Sequence, residues 1–182
     1  MTITDVALLV IDALDRAGVA HMLVGSFSSN YHGIPRSTED VDFVVKLAAP
    51  LASGFDKLLG ENFEADPQLS FETNTGTVKQ VFRVKDSEFK VEIFRLSDDP
   101  FDQERFRRRQ LVEVKGRRVF MPSAEDVVVM KLRWKRKKDL EDVKDVLSVQ
   151  GGKLDWLYVE KWCDQHDSRA VLEEIRKTVP AV

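Results

Sequence analysis

The chain has 182 residues, enough for one core of ordinary size with a small appendage. Hydrophobic residues make up 43% and charged residues 32%, which excludes a disordered chain, and the net charge of −3 argues against a surface that clings to nucleic acid over its whole extent, though local basic patches stay open. The single cysteine, Cys163, excludes a disulfide framework and a cysteine-based zinc site; the N-terminus lacks a basic stretch leading into an apolar one, and no apolar run nears the ~18 residues that span a membrane, so a cytoplasmic protein with no membrane partner is expected.

Thr4-Asp5 can cap a first helix, in which Val6, Leu9, Val10, Ala13, Leu14 and Ala17 recur at helical spacing until Gly18 stops it. His21–Val24 reads as the first strand. Gly25-Ser26 then forms a tight turn feeding a helix over 27–33. Backbone N–H groups at a turn entering a helix cradle phosphate, and the Ser26 hydroxyl can join them. Gly33-Ile34-Pro35 breaks that helix. Arg36 has two readings, a structural partner for Asp40 or Asp42 and a contact to a triphosphate. Thr38 can bond backbone and fix the aim of Asp40.

Asp40 and Asp42 open the second strand. Residues two apart on a strand point to one face, with backbones roughly 6.5–7 Å apart. Two such carboxylates can converge on a divalent cation, and oxygen-only ligands with room for substrate phosphates suit Mg²⁺ or Mn²⁺. The alternative is a solvated strand end or a capping loop. Phe43-Val44-Val45 continue as an apolar run, the mark of a strand buried on both faces. Glu39 points to the other face.

A helix is expected over Leu51–Leu59, ended by Gly60. Strands follow at Leu69–Thr73, Lys79–Val84 and Phe89–Leu96, with turns at Asn74–Gly76 and Asp86-Ser87, the last pair as a hairpin. Glu92 is a lone acid in an apolar strand, either turned outward to pair with Lys79 or Arg83, or buried for a chemical reason. Residues 101–109 are basic and read as a solvated helix end or a phosphate-contacting patch. A second hairpin joins Leu111–Val114 to Arg118–Met121. Pro122-Ser123 starts a helix that runs into the charged stretch 131–139. A further helix covers Asp139–Leu147 before Gly151-Gly152, and the chain is expected to be helical from Lys153 to its end.

Gly25-Ser26, followed by Pro35-Arg36-x-Thr38 and Asp40-x-Asp42, resembles the signature of the DNA polymerase β-type nucleotidyltransferase superfamily. More narrowly it resembles the small stand-alone bacterial members, including minimal nucleotidyltransferases and abortive-infection-type toxins. The resemblance covers residues 5–150 and is strongest over 22–46. It implies that Gly25 and Ser26 bind the triphosphate, that Asp40 and Asp42 bind two metal ions, and that a third carboxylate comes from a later strand. Glu92 stands in that apolar-acid-apolar setting, as metal ligand or general base, where superfamily members usually carry Asp. The pattern Lys131-Leu followed by Lys138-Asp139-x-x-Asp142 resembles the region after the core, where a helical lysine contacts the phosphates and a Lys-Asp pair completes the site; Lys131, Lys138 and Asp139 are the matching positions.

The expected fold is therefore α/β: a nucleotidyltransferase-like mixed sheet flanked by helices over 1–122, with a helical C-terminal portion over 123–182. The expected activity is metal-dependent transfer of an NMP group from a nucleoside triphosphate to a hydroxyl of a protein, an RNA or a small molecule. The clusters Arg107–Arg109 and Lys135–Lys138 lean toward RNA or protein. The alternative is a nucleotide-binding module without catalysis, such as one half of a toxin–antitoxin pair with an antitoxin-like partner, and Glu92 in place of Asp favours it.

Overall fold

The first helix, α1 (Ile3–Arg16), is capped two residues earlier than its apolar spacing predicts. Thr2 Oγ1 accepts the Asp5 N–H, and Asp5 Oδ2 accepts the Thr2 N–H at 2.8 Å, so a reciprocal capping box satisfies two end donors. Its apolar stripe, Val6, Val10, Ile11 and Leu14, is buried, and the helix packs on the first two strands.

The computed structural model describes residues 1–47, 55–68, 70–71 and 76–179, and the chain divides into two units. The first unit comprises Met1–Gly25 and Ser37–Met121. It holds α1, β1 (His21–Val24), β2 (Asp40–Val45), α3 (Phe55–Leu59), β3 (Phe63–Ala65), β4 (Ser70–Phe71), β5 (Val78–Val84), β6 (Lys90–Arg95), α4 (Pro100–Arg107), β7 (Gln110–Val114) and β8 (Arg117–Met121). Six strands form a mixed sheet in the order β1-β2-β6-β5-β3, with β4 also on β5; β2 and β6 run parallel and the other pairs antiparallel. β7 and β8 form a separate hairpin, turning through Lys115 and Gly116 at φ 48° and 73°. The short strand β3 lies in a stretch whose sequence carries no strand pattern. The first half of the helix expected from Leu51, the start of the strand expected from Leu69, and most of the turn at Asn74 lie outside the described residues.

Alternation along β2 gives the sheet two unlike faces. Val41 and Phe43, with Leu23, Val91, Ile93 and Phe82 beside them in register, form one face, and all are buried. That burial explains the unbroken apolar run in the sequence. The opposite face carries Met22, Val24, Val44 and Phe94, which cluster with Leu96 and Phe106. It also carries Asp40, Asp42, Lys90 and Glu92.

The second unit comprises Ser26–Arg36 and Pro122–Val182. It contains most of α2 (Gly25–His32), together with α5 (Ala124–Trp134), α6 (Lys137–Gln150), a 3-10 turn at Gly151–Lys153, α7 (Trp156–Gln165) and α8 (Arg169–Thr178). Ser123 Oγ caps α5 by accepting the Asp126 N–H and also donates to the Asp126 carboxylate at 3.0 Å. A Cβ on Gly33 would lie 2.9 Å from the backbone nitrogen of Val146, so the break after α2 fits against α6 only without a side chain. Among the described residues no helix is long and apolar enough to cross a membrane.

Candidate active site

β2 enters the sheet at Asp40. Thr38 Oγ1 bonds both the N–H and the carbonyl of Asp40 at 3.2 Å, which holds the chain where the strand begins. The register then sets the chemistry. Asp42 lies opposite Val24 of β1 on one side and opposite Glu92 of parallel β6 on the other. Asp40 lies opposite Lys90. Residues paired in register share a face, so three carboxylates from two strands look out of the same side of the sheet.

Each is held differently. Asp42 lies against Gly25, whose φ of +63° places it in the left-handed region; a Cβ there would come within 1.9 Å of Asp42 Oδ2. Glycine is required at this position on both counts. Glu92 Oε1 receives Lys79 Nζ at 3.1 Å and Lys90 Nζ at 3.5 Å. Lys90 Nζ also reaches Asp40 Oδ1 at 3.4 Å, so a single ammonium bridges Asp40 and Glu92. Burial works against the charge on Lys90, but the Glu92 and Asp40 carboxylates outweigh it and raise its pKa above the usual lysine value.

The donor set matches a hard divalent cation in kind: three carboxylates on one face, two from a single strand, beside a backbone kept bare by Gly25. As the side chains stand, however, no three carboxyl, imidazole or thiol groups among the described residues converge on one point. Lys90 stands between two of the three.

In the second unit, a chain of charges links α2, the segment at Arg36, α5 and α6. Arg36 forks onto Asp142, with Nε to Oδ1 at 2.7 Å and Nη2 to Oδ2 at 3.1 Å, and Nη2 also reaches Ser26 Oγ at 3.1 Å. Asn30 brackets Arg36 through both of its amide atoms, at 2.7 and 3.0 Å. Lys131 donates to Asp142 at 2.6 Å and to Asp139 at 3.1 Å, and Arg136 completes Asp139 at 2.5 Å. Asp139, Asp142 and Lys131 are buried, while Lys138 is exposed. Burial alone would raise the pKa of both carboxylates. The partners prevail: Arg136 and Lys131 lower that of Asp139, and Arg36 and Lys131 lower that of Asp142.

The structure thus gathers Gly25, Asp40, Asp42 and Glu92 in the first unit, and Ser26, Arg36, Lys131 and Asp139 in the network of the second. Sequence reasoning missed Lys90, and it gave no role to Asp142, which closes the Lys-Asp-x-x-Asp pattern. Lys90 has the same two-residue spacing to Glu92 as Asp40 has to Asp42. Asp142 follows Asp139 by three, the spacing that puts two residues on one helix face. Of the basic stretch 101–109, Arg105 pairs with Asp102 in the interior, Arg107 pairs with Glu104, and Arg109 lies over Phe106 and Phe120. His32 is buried with Nε2 at 2.8 Å from the Pro122 carbonyl, and burial lowers its pKa.

Comparison with known proteins bears on the family and the fold. The family described as nucleotidyl transferase of unknown function (DUF2204) matches residues 3–179. Among solved structures, the solution structure of the antibiotic-resistance factor ANT(2'')-Ia superposes with a TM-score of 0.61 at 14% identity, covering 98% of this chain and 99% of the other. A crystal structure of ANT(2'')-Ia in complex with adenylyl-2''-tobramycin gives 0.56 at 13%, covering 92% and 99%. An antigenic nucleotidyltransferase-like protein from Paracoccidioides brasiliensis gives 0.58 at 18%, covering 99% and 94%. At these identities the likeness is one of fold. No match is found among curated proteins.

Proposed function

The chain belongs to the DUF2204 nucleotidyl transferases, and from that premise we propose that it moves an NMP group from a nucleoside triphosphate to an acceptor hydroxyl, with Asp40, Asp42 and Glu92 as the reacting centre. The observation that carries this reading is the register that sets Asp42 beside Glu92 on parallel strands, with Asp40 two residues back on the same face.

Asp40, Asp42 and Glu92 would hold Mg²⁺ or Mn²⁺, which when bound supplies neutralisation of the charge developing at the α-phosphate and on the departing pyrophosphate. The oxygen of the acceptor hydroxyl attacks the α-phosphorus in line. The bond from that phosphorus to the bridging oxygen of pyrophosphate breaks, and pyrophosphate leaves with the bonding pair. Glu92, beside Asp42 in register, is assigned the hydroxyl proton as the new bond forms. Gly25 and Ser26, at the start of α2, offer backbone N–H groups and a hydroxyl to the phosphates. Arg36, Lys131 and the exposed Lys138 are assigned to the triphosphate as cations, with Asp139 holding the Lys131 ammonium. Positioning and charge compensation supply most of the rate in such a site.

The acceptor is a hydroxyl of a protein, an RNA or a small molecule. The ANT(2'')-Ia complex shows an adenylylated aminoglycoside in a related fold. The test is transfer of label from each of the four α-³²P nucleoside triphosphates with Mg²⁺ or Mn²⁺, to cell RNA, cell protein and an aminoglycoside. Label on one acceptor class that disappears in Asp42→Ala supports the reading. Nucleotide binding without any transfer would overturn it in favour of a binding module, such as the nucleotide-binding half of a toxin–antitoxin pair.

A further inference from the structure

We propose that Lys90 is a built-in counter-cation of the carboxylate site, and that a divalent cation enters only by displacing its ammonium from between Asp40 and Glu92. This rests on the assignment of those carboxylates to a metal ion.

The backbone places Lys90 there. It lies opposite Asp40 across the parallel β2–β6 pair and two residues before Glu92 on its own strand, so all three side chains leave one face. Its Nζ reaches Asp40 at 3.4 Å and Glu92 at 3.5 Å. Asp40, Asp42 and Glu92 carry three negative charges on this face, and Lys79 and Lys90 carry two positive ones, so all but one of the negative charges are offset before any metal arrives. A cation that entered beside both ammonium groups would meet repulsion of the same order as its attraction. One of the two lysines has to leave.

Lys90 is the one built to do so. Its side chain is 39% exposed against 23% for Lys79. Lys79 is anchored twice, by Glu92 at 3.1 Å and by the Phe94 ring 5.6 Å from its ammonium. A flexible four-carbon stem lets the Lys90 ammonium swing into water without moving the strand. The same ammonium relieves repulsion between Asp40 and Glu92 while no metal is bound, and so keeps the empty site folded.

The experiment measures Mn²⁺ binding to metal-free protein by the loss of the free-ion paramagnetic resonance signal, in wild type, Lys90→Met, Lys90→Arg and Asp42→Asn. Displacement predicts binding at least tenfold tighter in Lys90→Met, near the wild-type value in Lys90→Arg, and lost or weakened in Asp42→Asn. Melting in EDTA gives a second readout: Lys90→Met melts below wild type and recovers when Mn²⁺ is added. Equal or weaker Mn²⁺ binding by Lys90→Met, or an unchanged melting temperature in EDTA, overturns the role of Lys90 while the metal assignment stands. Failure of both wild type and Lys90→Met to bind millimolar Mn²⁺ overturns the metal assignment, and the proposal with it.

Discussion

The carboxylate of Asp42 lies on the bare α-carbon of Gly25, so close that a β-carbon would stand 1.9 Å from Oδ2. Gly25 ends the first unit's opening segment and begins α2, so the aim of a proposed ligand and the start of the helix meet at one residue. Gly25→Ala should therefore fail twice, by strain at φ +63° and by pushing Asp42 aside. Strain of this kind costs about 1–3 kcal/mol. Urea unfolding should show a loss in that range or above it. Because the two residues touch, Gly25→Ala in an Asp42→Ala background should cost measurably less than it does alone.

Removing either register partner should cost catalysis far more than stability. Asp42→Ala and Glu92→Gln both replace partly buried carboxylates on the polar part of one sheet face. Transfer should fall by about 10²–10⁴-fold for Glu92→Gln if it takes the acceptor proton. Melting temperature should move little. Parallel loss of activity and melting temperature would show instead that Glu92 serves the sheet.

Asp142 joins Arg36 to Lys131 in the interior of the second unit. Asp142→Ala leaves Lys131, buried on α5, with one carboxylate instead of two and Arg36 without its fork. Breaking a buried ion pair from one side costs about 3–5 kcal/mol. The unfolding midpoint in urea should fall accordingly. Lys138→Ala, at an exposed position, should leave that midpoint unchanged and lower nucleotide affinity alone.

Acid should expose the same network. Asp139 and Asp142 have folded pKa values below their ordinary one, so the unfolded chain binds more protons in acid. Their contribution is fully present above the unfolded carboxylate range near about pH 4 and is lost as pH falls through the folded values. Urea midpoints measured from pH 6 downward should hold to about pH 5 and then drop. The drop should be shallower in Asp142→Asn, which has no carboxyl to protonate there.

Much of this site is legible along the chain because its signals are local. A strand pointing alternate residues to one face makes Asp40-x-Asp42 a pair without any knowledge of the fold, and the apolar run after Asp42 places that pair at the mouth of a buried strand. A helix start next to Gly25-Ser26 is equally local. Glu92 stands out only as an acid among apolar neighbours, and its relation to Asp42 depends on β2 and β6 lying side by side, parallel and in a given register. Lys90 looks like an ordinary strand-edge lysine until that register sets it against Asp40. Asp142 looks like one of several acids on an amphipathic helix until Arg36 folds onto it from far along the chain.

What the sequence determines by itself is therefore the set of elements and the chemistry that they carry: the helix stops at Gly18 and Gly33, the paired aspartates, the charged helix ends, and membership in a nucleotidyl transferase family. The tertiary structure alone decides which charges meet. It sets a lysine between Asp40 and Glu92, and it closes Arg36 and Lys131 onto Asp142. The physical reason is range. Backbone periodicity and capping act over a few residues and are written in neighbouring letters, whereas an ion pair between strands or helices depends on a register that arises only when a whole apolar face is buried at once.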